Sequence, residues 1–531
     1  MNTKRDTKRR TGLFLGLTGT LITVLALAVT RGPARGAAQE AAAGQAAAAQ
    51  GAAAQAAAAA GGGYDWPQFG FDARHSGNDT RETAINAGNV GRLQRLYQVG
   101  LPDTADGAPA YLRGVRTGGG VRDLLFVTTK SGFLVAVDAH SGQQVWAVQH
   151  GPGACHINGG GSACYTTSSP ALDPNRKFVY SYGLDGYVHK HRVGDGSEVT
   201  GGGWPELATT KPSSEKGSSA LSLAAGYLYV TNGGYFGDQG DYQGHIAAIN
   251  LASGGQRVFN LACSNQATHF VMQPGAPDCP SVQSAVWGRA GVVYDSDTGR
   301  IYAASGNGDT NQAAHDWGDS VIALTPAGTG AGGNPLDAFT PANYRQLSDS
   351  DADLGSAAPA ILPAPANSRI PHLAVQAGKD GLLRLLNLDN LSQQGGPGHI
   401  GGEVVAPVGV PQGGEVLTAP AVWTNPADGS VWVFVTNGQG ASGLRLVVGG
   451  DGLPSLQPVW QIGGGGASPV VAGNVLFFAG SGSIRALDPA SGRQLWQDGS
   501  SGGIHWESPI VANGRLYITN ESGQLTAYGV R

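Results

Sequence analysis

The chain has 531 residues, a formal net charge of −5 and only 13% charged residues. Lys and Arg do not cluster beyond the first ten positions, which excludes a basic face for nucleic acid. Glycine (86) and proline (29) are abundant and the body carries no helical hydrophobic period, the profile of an all-β, turn-rich protein.

In chain order, the first 63 residues are not part of a folded core. Lys4, Arg5, Lys8, Arg9 and Arg10 make a positive start, and Leu13 to Val29 is apolar without a charge. Residues 1–36 therefore read as an export signal or as an uncleaved membrane anchor built on 13–29. Residues 37–63 are almost entirely Ala, Gly and Gln, a tether that cannot build a core. A single large domain is expected over 64–531.

Four cysteines fit an exported chain. Cys155 and Cys164 bracket one glycine-rich loop, and Cys263 and Cys279 bracket a second loop. An even count in an oxidising compartment favours two local disulfides that staple long insertions. Metal binding together with His156 is the rival reading. No Cys-x-x-Cys-His run exists, so no covalently held c-type haem is expected.

The body repeats itself. Residues 131–146 (SGFLVAVDAHSGQQVW) and 481–496 (SGSIRALDPASGRQLW) share Ser131/Ser481, Gly132/Gly482, Ala136/Ala486, Asp138/Asp488, Ser141/Ser491, Gly142/Gly492, Gln144/Gln494 and Trp146/Trp496. Each copy is a glycine turn, a strand, an Asp-capped Ser-Gly turn and a strand ending in Trp. Weaker copies begin at Gly186, Gly244, Gly318, Gly381, Gly443 and Gly523, giving eight. Strand starts are marked by Pro170, Pro359, Pro420, Pro469 and Pro509, where no ladder bond is needed. One such unit cannot bury its own faces and must stack on neighbours. The expected fold is an eight-bladed β-propeller. The last copy ends at Arg531 without an outer strand, and Leu93–Val99 is expected to supply it and so close the ring.

The repeat Gly-x-hydrophobic-x-Ala-hydrophobic-Asp-x-x-Ser-Gly-x-x-hydrophobic-Trp resembles the pyrroloquinoline quinone repeat of quinoprotein alcohol dehydrogenases. The entry segment Asp65-Trp66-Pro67-Gln68-Phe69-Gly70, with Arg74-His75-Ser76-Gly77 after it, is similar to the N-terminal stretch of those enzymes. The same repeat also builds non-catalytic scaffolds. The stretch 286–322 matches the family's cofactor blade in order: Trp-Gly, Tyr-Asp, Gly-Asn, Gly-Asp. The resemblance implies Trp287 as the stacking floor under the quinone, Asn307 as a calcium ligand and Asp319 as general base. It implies Lys379 as the cation facing the quinone oxygens.

The chain departs from the family pattern in two places. No two cysteines are adjacent, so the family's disulfide ring above the quinone is missing. Where the family has a calcium-binding glutamate, this chain has 233–242 with Asp238 and Asp241 as the replacement ligands. The acidic segment Asp349–Ser356 falls where the family has a His-Asp-x-x-Asp run. Two functions follow. One is oxidation of a small alcohol or sugar, dependent on the quinone and Ca2+, with electrons passed to a separate acceptor. The other is a non-catalytic extracytoplasmic propeller whose rim binds a protein or glycan.

Overall fold

A computed structural model of the chain describes residues 63–151, 155–158, 161–266 and 279–531. The expected export signal and tether therefore lie outside the described residues. Among the described residues no helix is long and apolar enough to cross a membrane.

Eight antiparallel sheets form the propeller. From innermost to outermost strand, blade 1 is Ala110–Thr117, Gly120–Thr128, Phe133–Asp138 and Gln144–Gln149. Blade 2 is Ala171–Leu172, Phe178–Tyr182, Tyr187–Arg192 and Glu206–Leu207. Blade 3 has an innermost strand broken into Glu215–Gly217 and Ser222–Ala224, then Tyr227–Gly234, His245–Asn250 and Gln256–Asn260. Blade 4 is Val293–Asp295, Arg300–Ala304, Val321–Leu324 and Asp337–Phe339. Blade 5 is Ala360–Pro363, His372–Ala377, Leu382–Asn387 and Val408–Gly409. Blade 6 is Ala421–Thr424, Val431–Thr436, Gly440–Val448 and Pro454–Gly463. Blade 7 is Val470–Ala472, Val475–Gly480, Ser483–Leu487 and Gln494–Asp498. Blade 8 is Ile510–Ala512, Arg515–Asn520 and Gln524–Val530, completed by Leu93–Gly100.

That last pairing is the closure expected from sequence. Leu93 pairs with Val530 and Gly100 with Gln524, so first and last strands leave no open edge between them. Blade 8 then meets blade 1 through the Tyr111–Tyr517 ring pair, 6.2 Å between centroids.

The repeated residues do the work of stacking blades. Asp138 Oδ1 accepts from the amides of His140 and Ser141, and Asp488 Oδ1 from those of Ala490 and Ser491. These Asx turns set the tight reversal. In blades 1, 2 and 7 the glycine of this turn receives an aromatic from the preceding blade. A Cβ on Gly196 would lie 2.7 Å from the Trp146 ring, and one on Gly492 would lie 2.6 Å from Trp460. The indole N–H groups then bond the turn backbone: Trp146 to Val193 O at 3.0 Å, Trp460 to Pro489 O at 2.8 Å. Across the closure, Tyr97 takes the Trp position against Gly142 and donates to Ala139 O at 2.9 Å. Aliphatic layers fill the seams between blades, for example Leu373, Val375 and Leu385 of blade 5 with Val433 and Leu444 of blade 6. Each such buried side chain stabilises by roughly 1.5–3 kcal/mol relative to exposure.

Two features were not expected. Asn78–Asp79 adds a fifth, parallel strand to the inner edge of blade 7. The entry segment also crosses the ring. Trp66 pairs with Tyr111 of blade 1, and Pro67 O accepts from Leu172 of blade 2. Gln68 exchanges bonds with Leu223 of blade 3, and Ala73 O accepts from Tyr294 of blade 4. Ser76 O and Gly77 O accept from Val422 of blade 6 and Val471 of blade 7. His75 is buried among these, bonded to Phe69 O at 2.6 Å and Ser222 Oγ at 2.8 Å. The segment is a brace that ties the innermost strands together.

Both expected disulfides are present, Cys155–Cys164 and Cys263–Cys279, with Cα separations of 5.4 and 5.9 Å. The pairing removes all four thiolates from any metal site, including one with His156.

Candidate functional site

In an antiparallel blade, the turns between second and third strands and the connections to the next blade emerge at the same end. Trp287 and Asp353 lie on blade-to-blade connections, and Asn307 and Lys379 on turns between second and third strands. Asp319 immediately precedes the third strand of blade 4. All five therefore gather on one face of the ring, around blades 4 and 5.

Asp353 is the hub. Its Oδ2 is 2.5 Å from Lys379 Nζ, and its Oδ1 accepts from Asn307 N at 2.7 Å. Asp351 Oδ1 accepts from Asn307 Nδ2 at 2.9 Å and lies 3.2 Å from Lys379 Nζ. The Lys379 ammonium stands 5.4 Å from the centroid of the Trp287 ring. Gly306 keeps this space open. A Cβ there would be 2.2 Å from Asp353 Oδ1 and 3.0 Å from Trp287 Nε1.

Asp319 sits beneath this cluster and has no exposed surface. Its Oδ1 accepts from Leu354 N at 3.0 Å, which holds the turn that carries Asp353. Its backbone has φ of +44°, a left-handed conformation unusual for a residue with a side chain. Burial pushes its carboxyl up to about 7, with the Asp353 charge adding to the rise against the Leu354 amide. Asp353 is also raised by burial, with Lys379 opposing. Burial works against the Lys379 charge, but Asp353 and Asp351 together hold its pKa above the ordinary value.

Two buried acceptors have no donor: Asn307 Oδ1 and Asp319 Oδ2. Buried acceptors are ordinarily satisfied. Oxygens of this kind are the hard donors that Ca2+ prefers; both oxygens of the neighbouring Asp353 are already engaged, by Lys379 and by Asn307 N. A flat aromatic face and one ammonium stand next to it. The donor set thus fits a metal, and Trp287 with Lys379 fits a planar anionic group.

Of the residues expected from sequence, Asn307 and Lys379 bond Asp353, Trp287 lies under Lys379, and Asp319 bonds the adjoining Leu354. Asp238 and Asp241 are engaged by other side chains. Asp238 is exposed, at φ +50°, and accepts from Tyr242 Oη at 2.6 Å. Asp241 turns to Gln243 Nε2 at 2.9 Å and Lys211 Nζ at 3.6 Å. Tyr242 packs back over Gly234, where a Cβ would be 2.4 Å from its ring, and the charges of Asp238, Asp353 and Asp351 all act on its hydroxyl. The acid that takes the central place is Asp353, from the segment Asp349–Ser356.

The axis of the ring is occupied on this face. Arg289, two residues after Trp287, is buried and donates to Ser218 O at 2.8 Å, Thr167 O at 2.8 Å and Asp106 O at 3.1 Å. It thereby joins carbonyls from the connections leading into blades 1 and 2 and from the break in the innermost strand of blade 3. Trp506 covers it, 5.7 Å from guanidinium carbon to ring centroid. No sequence signal marked this arginine.

These observations define an eight-bladed repeat propeller with a polar aromatic cluster on one face. Residues 422–531 match the family model described as outer membrane protein assembly factor BamB, a pyrroloquinoline quinone repeat model. That match covers only the C-terminal part of the ring, blades 6 to 8. Among solved structures it is similar to the quinohemoprotein alcohol dehydrogenase of Comamonas testosteroni, with a TM-score of 0.57 and 17% identity over 88% of this chain and 80% of that one. It is similar to a europium-containing methanol dehydrogenase, with a TM-score of 0.58 and 14% identity over 88% of this chain and 98% of that one. At these identities the likeness is one of fold. No curated protein matches the chain by sequence.

Proposed function

We propose that the protein is an exported quinoprotein-like oxidoreductase that oxidises a small alcohol or sugar and passes electrons to a separate acceptor. The observation that carries this reading is the contact of Trp287, Asn307, Asp353 and Lys379 in one cluster, with Asn307 Oδ1 buried and without a donor. The quinone, when bound with its cation, would supply a two-electron acceptor for hydride equivalents. Trp287 would bind its plane and Lys379 its oxygens. Asn307 and Asp353 would hold the cation, with Asp319 Oδ2 as the third oxygen. The expected base was Asp319. Its complete burial favours Asp353 for contact with a substrate hydroxyl and gives Asp319 the task of fixing the Asp353 turn. Two disulfides and the positive, apolar N-terminal segment support export.

A non-catalytic propeller that binds a protein on its rim is the second reading. It is favoured by one observation: Lys379 is already paired with Asp353 and Asp351, which leaves it less charge to offer a cofactor. Dye-linked oxidation of a panel of primary alcohols and aldoses, after incubation with the quinone and either Ca2+ or a lanthanide, separates the two. Turnover that requires both additions supports the enzyme. Absence of turnover with every substrate and cation supports the scaffold.

A further inference from the structure

The seam between blades 1 and 2 holds three imidazoles in addition to an apolar layer that includes Leu134, Leu172 and Val179. His150 follows the outermost strand of blade 1. His189 and His191 lie two apart on the third strand of blade 2, so they leave the same face of that strand. Glu198 follows on the adjoining turn. The His150 and His189 rings stack at 3.5 Å between centroids. His150 Nε2 is 2.9 Å from His191 Nε2, and His189 Nδ1 is 2.6 Å from Glu198 Oε1. One ligand atom from each of the four lies within 4.8 Å of all the others.

The hydrogen bonds around the rings fix which nitrogens carry lone pairs, and the stacked His150 and His189 planes, 11° apart, must tilt for both to reach one ion. His191 Nδ1 faces Gly196 O at 2.9 Å and must donate to it, which leaves a lone pair on Nε2. That lone pair is aimed at His150 Nε2. Nitrogens bound to one tetrahedral ion at about 2.0–2.1 Å sit roughly 3.3 Å apart, close to the spacing between these two. His189 Nε2 lies 3.1 Å from both oxygens of Asp185, the carboxylate–histidine arrangement that fixes a ring and makes its other nitrogen a better ligand. That other nitrogen is the one beside Glu198. Glu198 is exposed and His150 half-buried, so an ion can enter.

We propose that His150, His189, His191 and Glu198 bind one borderline divalent cation of the zinc, copper or nickel type, cross-linking blade 1 to blade 2. Imidazole nitrogens with a single carboxylate select these ions over Ca2+ and Mg2+, which prefer all-oxygen shells. The site shares no residue with the Trp287 cluster and does not depend on what that cluster binds.

The test uses the untagged full chain, stripped with chelator and desalted. Zinc chloride alone is titrated calorimetrically and the bound metal is counted by mass spectrometry. One zinc per chain is expected, with a rise in Tm. The double variant His150→Gln/His191→Gln, checked for native circular dichroism, should bind more than about 100-fold more weakly, and Asp185→Asn about tenfold more weakly through loss of ring orientation. If the double variant does not fold, Glu198→Gln at its exposed position replaces it, with a weakening of at least about tenfold expected. Cobalt(II) should give the intense visible bands of a four-coordinate nitrogen-ligated ion, abolished by zinc. Binding of equal strength in a folded variant overturns the proposal. So does a wild-type chain that takes up none of the zinc, copper or nickel offered.

Discussion

Glu507 precedes the innermost strand of blade 8 and has no exposed surface. Its Oε2 accepts from His505 N at 2.6 Å, while Oε1 has no partner. Burial, reinforced by the nearby Asp106 charge, pushes its carboxyl from 4.5 up to about 8. Below pH 4.5 the group is protonated in both folded and unfolded chains, and its contribution to stability is fully present. Between 4.5 and 8 the unfolded chain releases the proton and the folded one retains it. Stability therefore falls as pH rises through this window, by about 1.4 kcal/mol per unit and about 5 kcal/mol at most. Glu507→Gln keeps the acceptor for His505 N and cannot ionise. Denaturant midpoints and slopes for both proteins at pH 4, 6, 8 and 9 give the difference directly, because every other titrating group cancels. The variant should match the wild type or be slightly weaker at pH 4 and gain steadily on it up to pH 8. A difference that stays constant across the range would refute the reasoning and return Glu507 to an ordinary titration.

Deleting the chain through Gly100 removes the outermost strand of blade 8, the Tyr97 dock on Gly142 and the entry brace, so the product should aggregate by light scattering. A monodisperse, folded truncation would contradict the closure. Gly196→Val places a branched side chain at φ +72° and against the Trp146 ring, and should cost about 2–4 kcal/mol in chemical denaturation. Cys263→Ala/Cys279→Ala opens a loop with a sequence separation of 16 and should cost about 3 kcal/mol, with the Cys155–Cys164 link still found by non-reducing peptide mapping. Asp353→Asn should remove any dye-linked turnover while quinone uptake persists at reduced cation affinity, read by activity and by binding separately.

The fold was legible because its signals are local and repeated. An Asp followed by Ser-Gly marks a capped turn wherever it occurs, and the Trp at the strand end declares that a neighbour must cover it. Closure was legible because the last repeat lacks a strand that Leu93–Val99 could supply. The brace from Trp66 to Gly77 was not, since it bonds innermost strands of different blades through backbone carbonyls that no side-chain pattern records. Arg289 was silent for the same reason: its partners are the carbonyls of Asp106, Thr167 and Ser218, far away in sequence. In the candidate site, Trp287, Asn307, Asp319 and Lys379 were singled out by resemblance, which follows short local motifs in chain order. The expectation for Asp238 and Asp241 rested on resemblance alone, because the path of 235–242 depends on where Tyr242 packs. Asp353 stood out only as one of three alternating acids, and its place at the hub is set by the Asp319–Leu354 bond, which exists only in the folded ring. The histidine seam joins two blades, so neither repeat alone could announce it.

The central claim is that Trp287, Asn307, Asp353 and Lys379 form one quinone and cation site. Equilibrium titration of the purified full chain with pyrroloquinoline quinone, followed by cofactor absorbance and tryptophan quenching with and without Ca2+, tests it most directly. The account predicts saturable one-to-one binding that needs the cation and is weakened by Trp287→Ala by about 1–3 kcal/mol or more, or roughly tenfold to a hundredfold in Kd, through loss of the stacking face. Binding that ignores Ca2+ and is unchanged by Trp287→Ala, or no binding at all, would contradict it.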